Sequence, residues 1–423
     1  MKPTVYPRLK EQVYRTVLSN GLTVMVVPRP GFSRKLAYFV TDYGSVHRKF
    51  RLEGQEYEVP AGIAHYLEHK MFDLPDRDVS GELAKLGANV NAFTSYDMTA
   101  YYFSCTENFE PCLKLLLEFV STPYFTEESV RKEQGIIDQE IGMNADAPDS
   151  RIFELLMEGM FREHEIRVPI LGTRETIREI TPELLHTCHR AFYTPGNMML
   201  CVVGDVEPDR VEALALAVLG AEPAAVGEKH PMASEEMTCP TPYREERMEV
   251  AMPMFQLGFK CRCPEKGEAA VRREVIGDLA AEALFGESSE LYLRLYEQGL
   301  IDGSFGGGFE TVDGCAMLTC GGDSDDPKAL QEAILEQGAV LAKKGIPEEA
   351  FLRMKRSAMG RRIRDLDSFD STCFRLCAYH FSDFDYMEFP RVYEAVTAGE
   401  VQAFLGEVIR RENSSLAVIA PIT

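Results

Sequence analysis

The chain has few positive charges for its length and no long hydrophobic run. Its 423 residues include 45 Lys and Arg against 67 Asp and Glu, which gives a net charge of −22 with neutral histidine. No cluster of Lys and Arg interrupts this acidic background, so phosphate backbones and anionic lipid head groups would be repelled. These absences predict that the protein binds neither nucleic acid nor a membrane surface.

The amino terminus lacks the apolar core of a secretory signal, and no apolar run approaches the roughly 20 residues that a membrane helix needs. The eleven cysteines are an odd number, and they are scattered through segments with helix or strand patterns. That distribution is typical of reduced thiols rather than of a disulfide framework. We therefore expect a soluble protein that stays in the cytoplasm.

Hydrophobic patterns follow the same order in the two halves of the chain. In the first half, β-branched runs around Asn20 and Gly21 predict a hairpin, and several helical periodicities then precede a buried strand at 197–206. In the second half, a strand, several helices and a last strand follow one another again. The fold class predicted is α+β, with two homologous domains in which a mixed or antiparallel sheet is covered by helices.

The domain boundaries follow from composition. Residues 223–246 are rich in Pro, Ala and Glu and have no periodicity, so they are predicted to link an N-terminal domain at 1–222 to a C-terminal domain at 247–423. The run at 303–310 is rich in glycine but lacks the Lys-Ser/Thr pair of a phosphate-binding loop. We expect that run to be a flexible segment.

Residues 65–69 have the sequence His-Tyr-Leu-Glu-His and contain the candidate catalytic and metal-binding side chains. On a helix, positions i, i+3 and i+4 share one face, so His65 and His69 can bind one ion while Glu68 lies beside it. Two neutral imidazoles leave Zn²⁺ short of charge and ligands, and a carboxylate from another helix is a common third ligand. This pattern predicts one zinc ion per chain with Glu68 beside it, as in a zinc hydrolase.

The helix predicted over 127–144 offers that carboxylate. Glu133 and Glu140 are seven residues apart and therefore face the same way, and Ile136 and Ile137 between them are expected to seat the helix on the core. One glutamate can bind the metal and the other can orient a ligand, but the spacing does not decide between them. The alternative is a solvated acidic face, and the pairing of the two glutamates disfavours it.

These segments together resemble the pitrilysin/insulinase family of zinc metallopeptidases, the inverzincins, whose His-x-x-Glu-His motif inverts that of thermolysin. The similar segments are 62–72, 87–103, 133–141 and 193–206, and the resemblance spans 15–206 and continues more weakly beyond. The chain most resembles the short-chain bacterial branch, in which a two-domain chain pairs with a second chain around a chamber. This resemblance implies two α/β-roll domains that form half of a clam-like dimer.

The resemblance also assigns roles to the candidate residues. It implies that His65, His69 and Glu140 bind zinc, that Glu68 does the acid and base work, and that Glu133 supports the site from outside the ligand set. It further implies a strand that receives the substrate as an added strand, and the alternative is an ordinary edge strand. The residues of that strand are Asn91, Ala92, Phe93 and Thr94.

One part of the family pattern is missing from the second half. Active members carry an arginine there and, seven residues later, a tyrosine, and both contact the substrate carbonyl. Leu295 and Asp302 stand at those positions here, and no arginine of the second half has a tyrosine seven residues later. We expect a heterodimer in which a homologous partner subunit supplies the pair. The alternative is a homodimer in which Arg294, Tyr292 or Tyr296 substitutes.

The function predicted from these observations is that of a zinc-dependent endopeptidase or oligopeptidase. It would hydrolyse peptide bonds of peptides or short unfolded segments inside a dimeric chamber. Two alternatives stand beside it, namely a structural or scaffold subunit without turnover and a zinc amidase that acts on a non-peptide substrate. The complete His-x-x-Glu-His motif argues against a scaffold, because a scaffold has no physical need of a base beside two metal ligands.

Overall fold

A computed structural model describes residues 1–75, 77–264 and 266–422 of the chain. The strands of the first half are β1 (Lys2–Tyr6), β2 (Glu11–Val17), β3 (Thr23–Pro28), β4 (Lys35–Thr41), β5 (Lys49–Leu52), β6 (Gln55–Glu58), β7 (Asp73–Leu74), β8 (Arg77–Asp78), β9 (Asn89–Thr94), β10 (Thr99–Cys105) and β11 (Met198–Gly204). The helices of this half are α1 (Ile63–Met71), α2 (Val79–Lys85), α3 (Phe109–Ser121), α4 (Glu127–Ala145), α5 (Pro148–Met160), α6 (Pro182–Phe192) and α7 (Pro208–Leu219).

The strands of the second half are β12 (Glu228–Lys229), β13 (Tyr243–Met248), β14 (Met254–Arg262), β15 (Gly306–Val312), β16 (Cys315–Asp323) and β17 (Ser414–Pro421). Its helices are α8 (Gly267–Phe285), α9 (Glu290–Glu297), α10 (Pro327–Lys344), α11 (Glu348–Arg364), α12 (Phe369–Phe381), α13 (Phe389–Ala395) and α14 (Ala398–Val408).

A seven-stranded mixed sheet organises the first half, in the order β1-β2-β3-β11-β4-β10-β9. Strand β4 is rich in β-branched and aromatic residues and β11 is almost entirely apolar. Both are almost wholly buried, as expected of strands at the centre of a sheet. The predicted hairpin around Asn20 and Gly21 joins β2 to β3. Gly21 has a φ of +92°, and a side chain there would lie 2.9 Å from the Cα of Gly196. The turn therefore requires glycine.

The second half repeats this topology. Its five-stranded sheet has the order β13-β17-β14-β16-β15, which matches β3-β11-β4-β10-β9 strand for strand. In both of these five-strand series the first pair is parallel and the remaining pairs are antiparallel. The α+β class with two homologous α/β domains is therefore confirmed, and each sheet is mixed.

The two halves exchange helices across a shared core. Helix α5 of the first half packs on β13, β14 and β17, and helix α12 of the second half packs on β4 and β11. One hydrophobic cluster accordingly contains strand residues of the first sheet and helix residues of the second half. The packing is close, because a side chain at Gly258 of β14 would lie 2.3 Å from the sulfur of Met160. The two sheets therefore share a packed core.

The structure differs from the sequence prediction at the linker and at the glycine run. Strand β12 pairs with β5, and β13 begins at Tyr243, four residues before the predicted second domain. β13 escaped prediction because its charged residues belong to an edge strand with no apolar period. The expectation of a flexible run at 303–310 is wrong over much of that run, because β15 pairs with β16 along its whole length.

Two predictions about exclusion can be compared with the structure. Across the described ranges, no helix combines the length and hydrophobicity that crossing a bilayer requires. All eleven cysteines are free thiols, and most of them are buried in helices or strands. No two of these eleven cysteines form a disulfide in the structure.

Candidate metal centre

Helix α1 begins where two chain segments cross at very short range. Gly62, the residue before the helix, has a φ of +90°, and a side chain on it would lie 2.4 Å from the carbonyl oxygen of Leu171. At the same crossing, a side chain on Gly172 would lie 2.4 Å from the carbonyl oxygen of Ala61. The glycines thus let the segment at 171–172 hold the start of the helix that carries both histidines.

Helix α4 is set against α1 by its first turn. Thr126 and Ser129 form a capping box there, and the Tyr66 hydroxyl of α1 donates a hydrogen bond to the carbonyl of Val130. Val130 and Ile137 are buried seven residues apart, so they define the face that contacts the core. The prediction that Ile136 also seats this helix is wrong, because its side chain is 47% exposed.

The facing surfaces of α1 and α4 bring three candidate ligands together. One oxygen or nitrogen atom from each of His65, His69 and Glu140 lies within 4.8 Å of the other two. The Nε2 atom of His65 is 3.6 Å from Oε1 of Glu140, and the Nε2 atom of His69 is 3.5 Å from Oε2. Within the described part of the chain, this is the one cluster of three or more such side chains with this geometry.

These distances fit a zinc site. Ligand atoms about 2.1 Å from a zinc ion at tetrahedral angles lie about 3.4 Å from each other. The observed separations of 3.5 and 3.6 Å are close to that value and longer than an ordinary hydrogen bond. Two imidazole nitrogens and one carboxylate also form the donor set that catalytic zinc prefers, with a fourth position left for water or substrate.

The electrostatic state of His65 suits a metal ligand. Burial, with a smaller contribution from the neighbouring His69, lowers the pKa of His65 to about 3. Its ring is therefore neutral at physiological pH, as metal binding requires. Its buried Nδ1 has no hydrogen-bond partner among the described residues, so the described part of the chain does not lock this ring through that atom.

His69 is oriented by the other glutamate of α4. Its Nδ1 lies 2.9 Å from Oε1 of Glu133, which leaves Nε2 directed at Glu140. Burial acts to lower the pKa of His69, but the hydrogen bond with Glu133 and the charges of Glu68 and Glu140 raise it above the usual value. A carboxylate behind a histidine in this way fixes the tautomer and increases the basicity of the free nitrogen.

Glu68 occupies the same face of α1 and is nearly enclosed. Its exposed fraction is 9%, and its carboxylate accepts a hydrogen bond of 2.6 Å from the Thr94 hydroxyl. Burial, supported by the negative charge of Glu140, raises the pKa of Glu68, whereas the bond from Thr94 and the charge of His69 act in the opposite direction. A carboxylate with a raised pKa beside a metal site can take up and return a proton.

The predicted substrate strand is β9, and it forms the outer edge of the first sheet. Among the described strands it pairs with β10 alone, so its other side is an unpaired edge within residues 1–75, 77–264 and 266–422. Asn91 is exposed, whereas Ala92, Phe93 and Thr94 are half-buried. The Ala92 N–H donates to Oδ1 of Asn91 at 2.9 Å. The Phe93 ring lies 6.0 Å from that of Phe374, which comes from helix α12 of the second half.

The corresponding place in the second half holds an ion pair. Glu282 stands three residues before the end of α8, as Glu68 stands three before the end of α1. Arg361 is the fourteenth residue of α11, as Glu140 is the fourteenth of α4. Arg361 and Glu282 form a salt bridge of 2.7 Å. Two opposite charges therefore stand at helix positions in the second half that match those of Glu68 and Glu140 in the first half.

The residues at the expected Arg and Tyr positions take no part in a site. Leu295 of α9 is fully buried, and Asp302 is exposed and accepts hydrogen bonds from the backbone and hydroxyl of Ser304. Nearby, Arg294 and Tyr296 are exposed, and the rings of Tyr292 and Tyr296 stack at 6.0 Å. Among the described residues, neither Leu295 nor Asp302 belongs to the cluster of His65, His69 and Glu140.

Two contacts of the site lay beyond sequence reasoning. The hydrogen bond from Thr94 to Glu68 joins residues that are 26 positions apart, and no periodicity relates them. The bond from Tyr66 to the backbone of Val130 spans 64 positions. The position of Tyr66 inside the His-x-x-Glu-His segment signals a helix residue only, so its docking role appears only in the fold.

Family models and a sequence relative match this chain. A family model described as Insulinase (Peptidase family M16) matches residues 53–174, and one described as Peptidase M16 inactive domain matches residues 179–358. A protein of Bacillus subtilis (strain 168) with the name "Uncharacterized zinc protease YmfH" is 37% identical over 428 aligned residues, which cover 100% of this chain and 99% of that protein.

Solved structures give the same result. The crystal structure of an M16-like peptidase from Alicyclobacillus acidocaldarius superposes with a TM-score of 0.93 at 33% identity and covers 97% of this chain and 99% of that one. Pitrilysin shares the fold at a TM-score of 0.80 and 16% identity, and the match covers 99% of this chain and 46% of pitrilysin. From its fold, its sequence relatives and its family matches, the chain belongs to the M16 peptidase family, the pitrilysin/insulinase family.

Proposed function

We propose that the chain is the zinc-bearing subunit of a metallopeptidase that cleaves peptides or short unfolded segments inside a dimeric chamber. The observation that carries this proposal is the cluster of His65, His69 and Glu140, with separations suited to zinc and with Glu68 beside it. The relative from Bacillus subtilis, which is named as a zinc protease and covers the whole chain, supports the same reading.

In this proposal, His65, His69 and Glu140 hold one zinc ion, and Glu133 orients His69. When bound, the zinc ion would polarise the scissile carbonyl and lower the pKa of water. Glu68 accepts a proton from the water that adds to the carbonyl carbon. It then donates that proton to the amine as the C–N bond breaks, so the carboxylate is regenerated at the end of the cycle.

The free edge of β9 is proposed as the place where the peptide binds. An extended peptide added there would pair with backbone groups of Asn91, Ala92, Phe93 and Thr94, and main-chain hydrogen bonds accept many sequences alike. The strand ends at Thr94, whose side chain contacts Glu68. A peptide paired along β9 is therefore directed toward the proposed base. This placement favours a peptide over a non-peptide amide as the substrate.

A partner subunit is proposed to complete the site. The second half lacks the Arg and Tyr that contact the substrate carbonyl in active family members, and its Leu295 lies in the core. We therefore propose a heterodimer with a homologous chain that supplies the pair. The exposed side chains of Arg294 and Tyr296 make a homodimer the alternative outcome. The free cysteines favour a reducing compartment, and we propose the cytoplasm.

Complementation tests this proposal. The zinc-loaded chain would be assayed on a quenched peptide library alone, with a chelator, and with homologous chains that carry the Arg/Tyr pair. We expect weak cleavage by the chain alone, strong cleavage with the right partner, and loss of activity with the chelator. Full turnover by the isolated monomeric chain would contradict the partner proposal, and a mixture without turnover would favour the scaffold alternative.

A further inference from the structure

We propose that the Thr94 hydroxyl is a positioning group that aims the Glu68 carboxylate, and that it is not a contact for the substrate side chains. This inference rests on the proposed peptidase function, because it concerns the residue proposed there as the base. Under this proposal the backbone of Thr94 is available to the peptide, whereas its side chain holds Glu68.

The first support is the contact itself. The Thr94 Oγ1 atom donates to Oε2 of Glu68 at 2.6 Å, a short distance that is typical of hydroxyl bonds to a carboxylate. Within the described part of the chain, it is the one hydrogen bond that the Glu68 side chain makes. Because Glu68 is only 9% exposed, water can replace this donor only poorly. The hydroxyl therefore decides which rotamer the carboxylate adopts.

The second support is the way in which the strand holds Thr94. Thr94 and Thr99 are directly opposite each other in the β9–β10 ladder. The Thr99 hydroxyl donates to the Tyr43 carbonyl at 2.9 Å, and its oxygen lies 3.5 Å from that of Thr94. Both Thr99 and Tyr43 are fully buried, so the support behind Thr94 is rigid. A hydroxyl supported by buried neighbours in this way can hold another side chain in place.

The third support is the alternation of side chains along β9. Successive strand residues point to opposite faces, so Thr94 and Ala92 share the face toward α1, and Phe93 lies on the other face. Ala92 packs with the core of the first half, and Phe93 packs with the core shared by the two halves. Thr94 is thus directed at Glu68 by the register of the strand, and a shift by one residue would place Phe93 there.

The test compares Thr94→Val with Thr94→Ser in the zinc-loaded protein together with whatever partner the complementation assay identifies. Valine keeps the branched shape and strand propensity but lacks the hydroxyl, and serine keeps the hydroxyl. We expect Thr94→Val to lower kcat roughly 10- to 100-fold with little change in KM and in zinc content, and Thr94→Ser to restore most of kcat. Thr311→Val, on edge strand β15 of the second half, is the matched control and should leave kcat unchanged.

A second readout does not depend on turnover. Crystal structures of the zinc-loaded variants would show whether the Glu68 carboxylate keeps its place. We expect it to rotate away in Thr94→Val and to keep its contact in Thr94→Ser. A raised KM with unchanged kcat, or an unmoved carboxylate in Thr94→Val, would overturn the inference. Wild-type turnover in the same assay separates the two proposals. If wild type is inactive, the peptidase function fails, and the crystal structures still decide the role of Thr94.

Discussion

Glu133 and Glu140 approach opposite nitrogens of one ring, since Nδ1 of His69 is 2.9 Å from Glu133 and Nε2 is 3.5 Å from Glu140. The two glutamates, which their spacing could not tell apart, are therefore distinguished by the structure. Glu140 also faces Nε2 of His65, so it alone is shared between the two histidines. In the proposed function, Glu133 orients the His69 ring and Glu140 is a zinc ligand.

This arrangement predicts different costs for the two glutamates. Glu133→Ala should weaken zinc affinity roughly 10- to 100-fold, because His69 loses the acceptor that orients it. Glu140→Ala should weaken affinity further, because a ligand is lost. Competition with a fluorescent chelator measures both constants. Glu128→Ala, an exposed change on the same helix, is the control. Equal losses for Glu133→Ala and Glu140→Ala would contradict the assigned roles.

Gly62 offers a test of how α1 is held. Gly62→Ala places a Cβ in a left-handed backbone and 2.4 Å from the Leu171 carbonyl oxygen, so it should lower the free energy of unfolding by roughly 2–4 kcal/mol. Chemical denaturation measures the loss. Gly54 also has a positive φ but has open space around it, so Gly54→Ala should cost only about 1–2 kcal/mol. Equal losses of unfolding free energy in the two variants would mean that a Cβ at residue 62 meets no steric conflict with Leu171.

A histidine joins the two halves and predicts a dependence of stability on pH. His47 accepts a hydrogen bond from the Gly44 N–H at Nδ1, and its Nε2 lies 3.0 Å from Oδ2 of Asp313 in the β15–β16 turn. Burial, with the nearby charge of Lys229, lowers the pKa of His47 below its ordinary value of 6.5, although Asp313 and Asp42 act in the opposite direction. The folded state thus binds this proton less readily than the unfolded state does.

The sign of the effect follows from that difference. The contribution of His47 is complete above about pH 6.5 and falls as the pH drops toward the lower folded-state pKa. Glutamine can accept from Gly44 and donate to Asp313 without titrating, so His47→Gln should flatten the loss of stability on acidification. Denaturant midpoints from pH 8 down to pH 5, compared with wild type, measure this. An unchanged pH profile would show that His47 does not contribute to acid sensitivity.

Much of the fold was predictable because it rests on patterns that single elements display. The paired histidines and glutamates share helix faces, and the repeated order of strands and helices showed the duplication. The prediction that Ile136 faces the core was wrong because two adjacent helix residues point in different directions. Val130 and Ile137, seven residues apart, define the buried face. Strand β15 was not predicted because its glycines have low strand propensity. Pairing with β16 nevertheless imposes the extended conformation.

The site was predictable as a set of residue types but not as a set of contacts. The motif indicated the histidines and the acid, and their separations confirm that the fold brings them together. The bond from Thr94 to Glu68 and the docking of Tyr66 on α4 depend on how distant segments cross. Such contacts arise from tertiary packing, which no local period records.

The most direct test of the central claim is a paired measurement of zinc content and peptide cleavage for wild type and Glu68→Gln. Both proteins would be assayed with the same partner chain, zinc would be quantified by elemental analysis, and turnover would be followed on the same peptide. The account predicts about one zinc ion per chain in both proteins and a loss of kcat of at least about 100-fold in Glu68→Gln. Equal turnover by the two proteins, or no bound zinc in wild type, would contradict it.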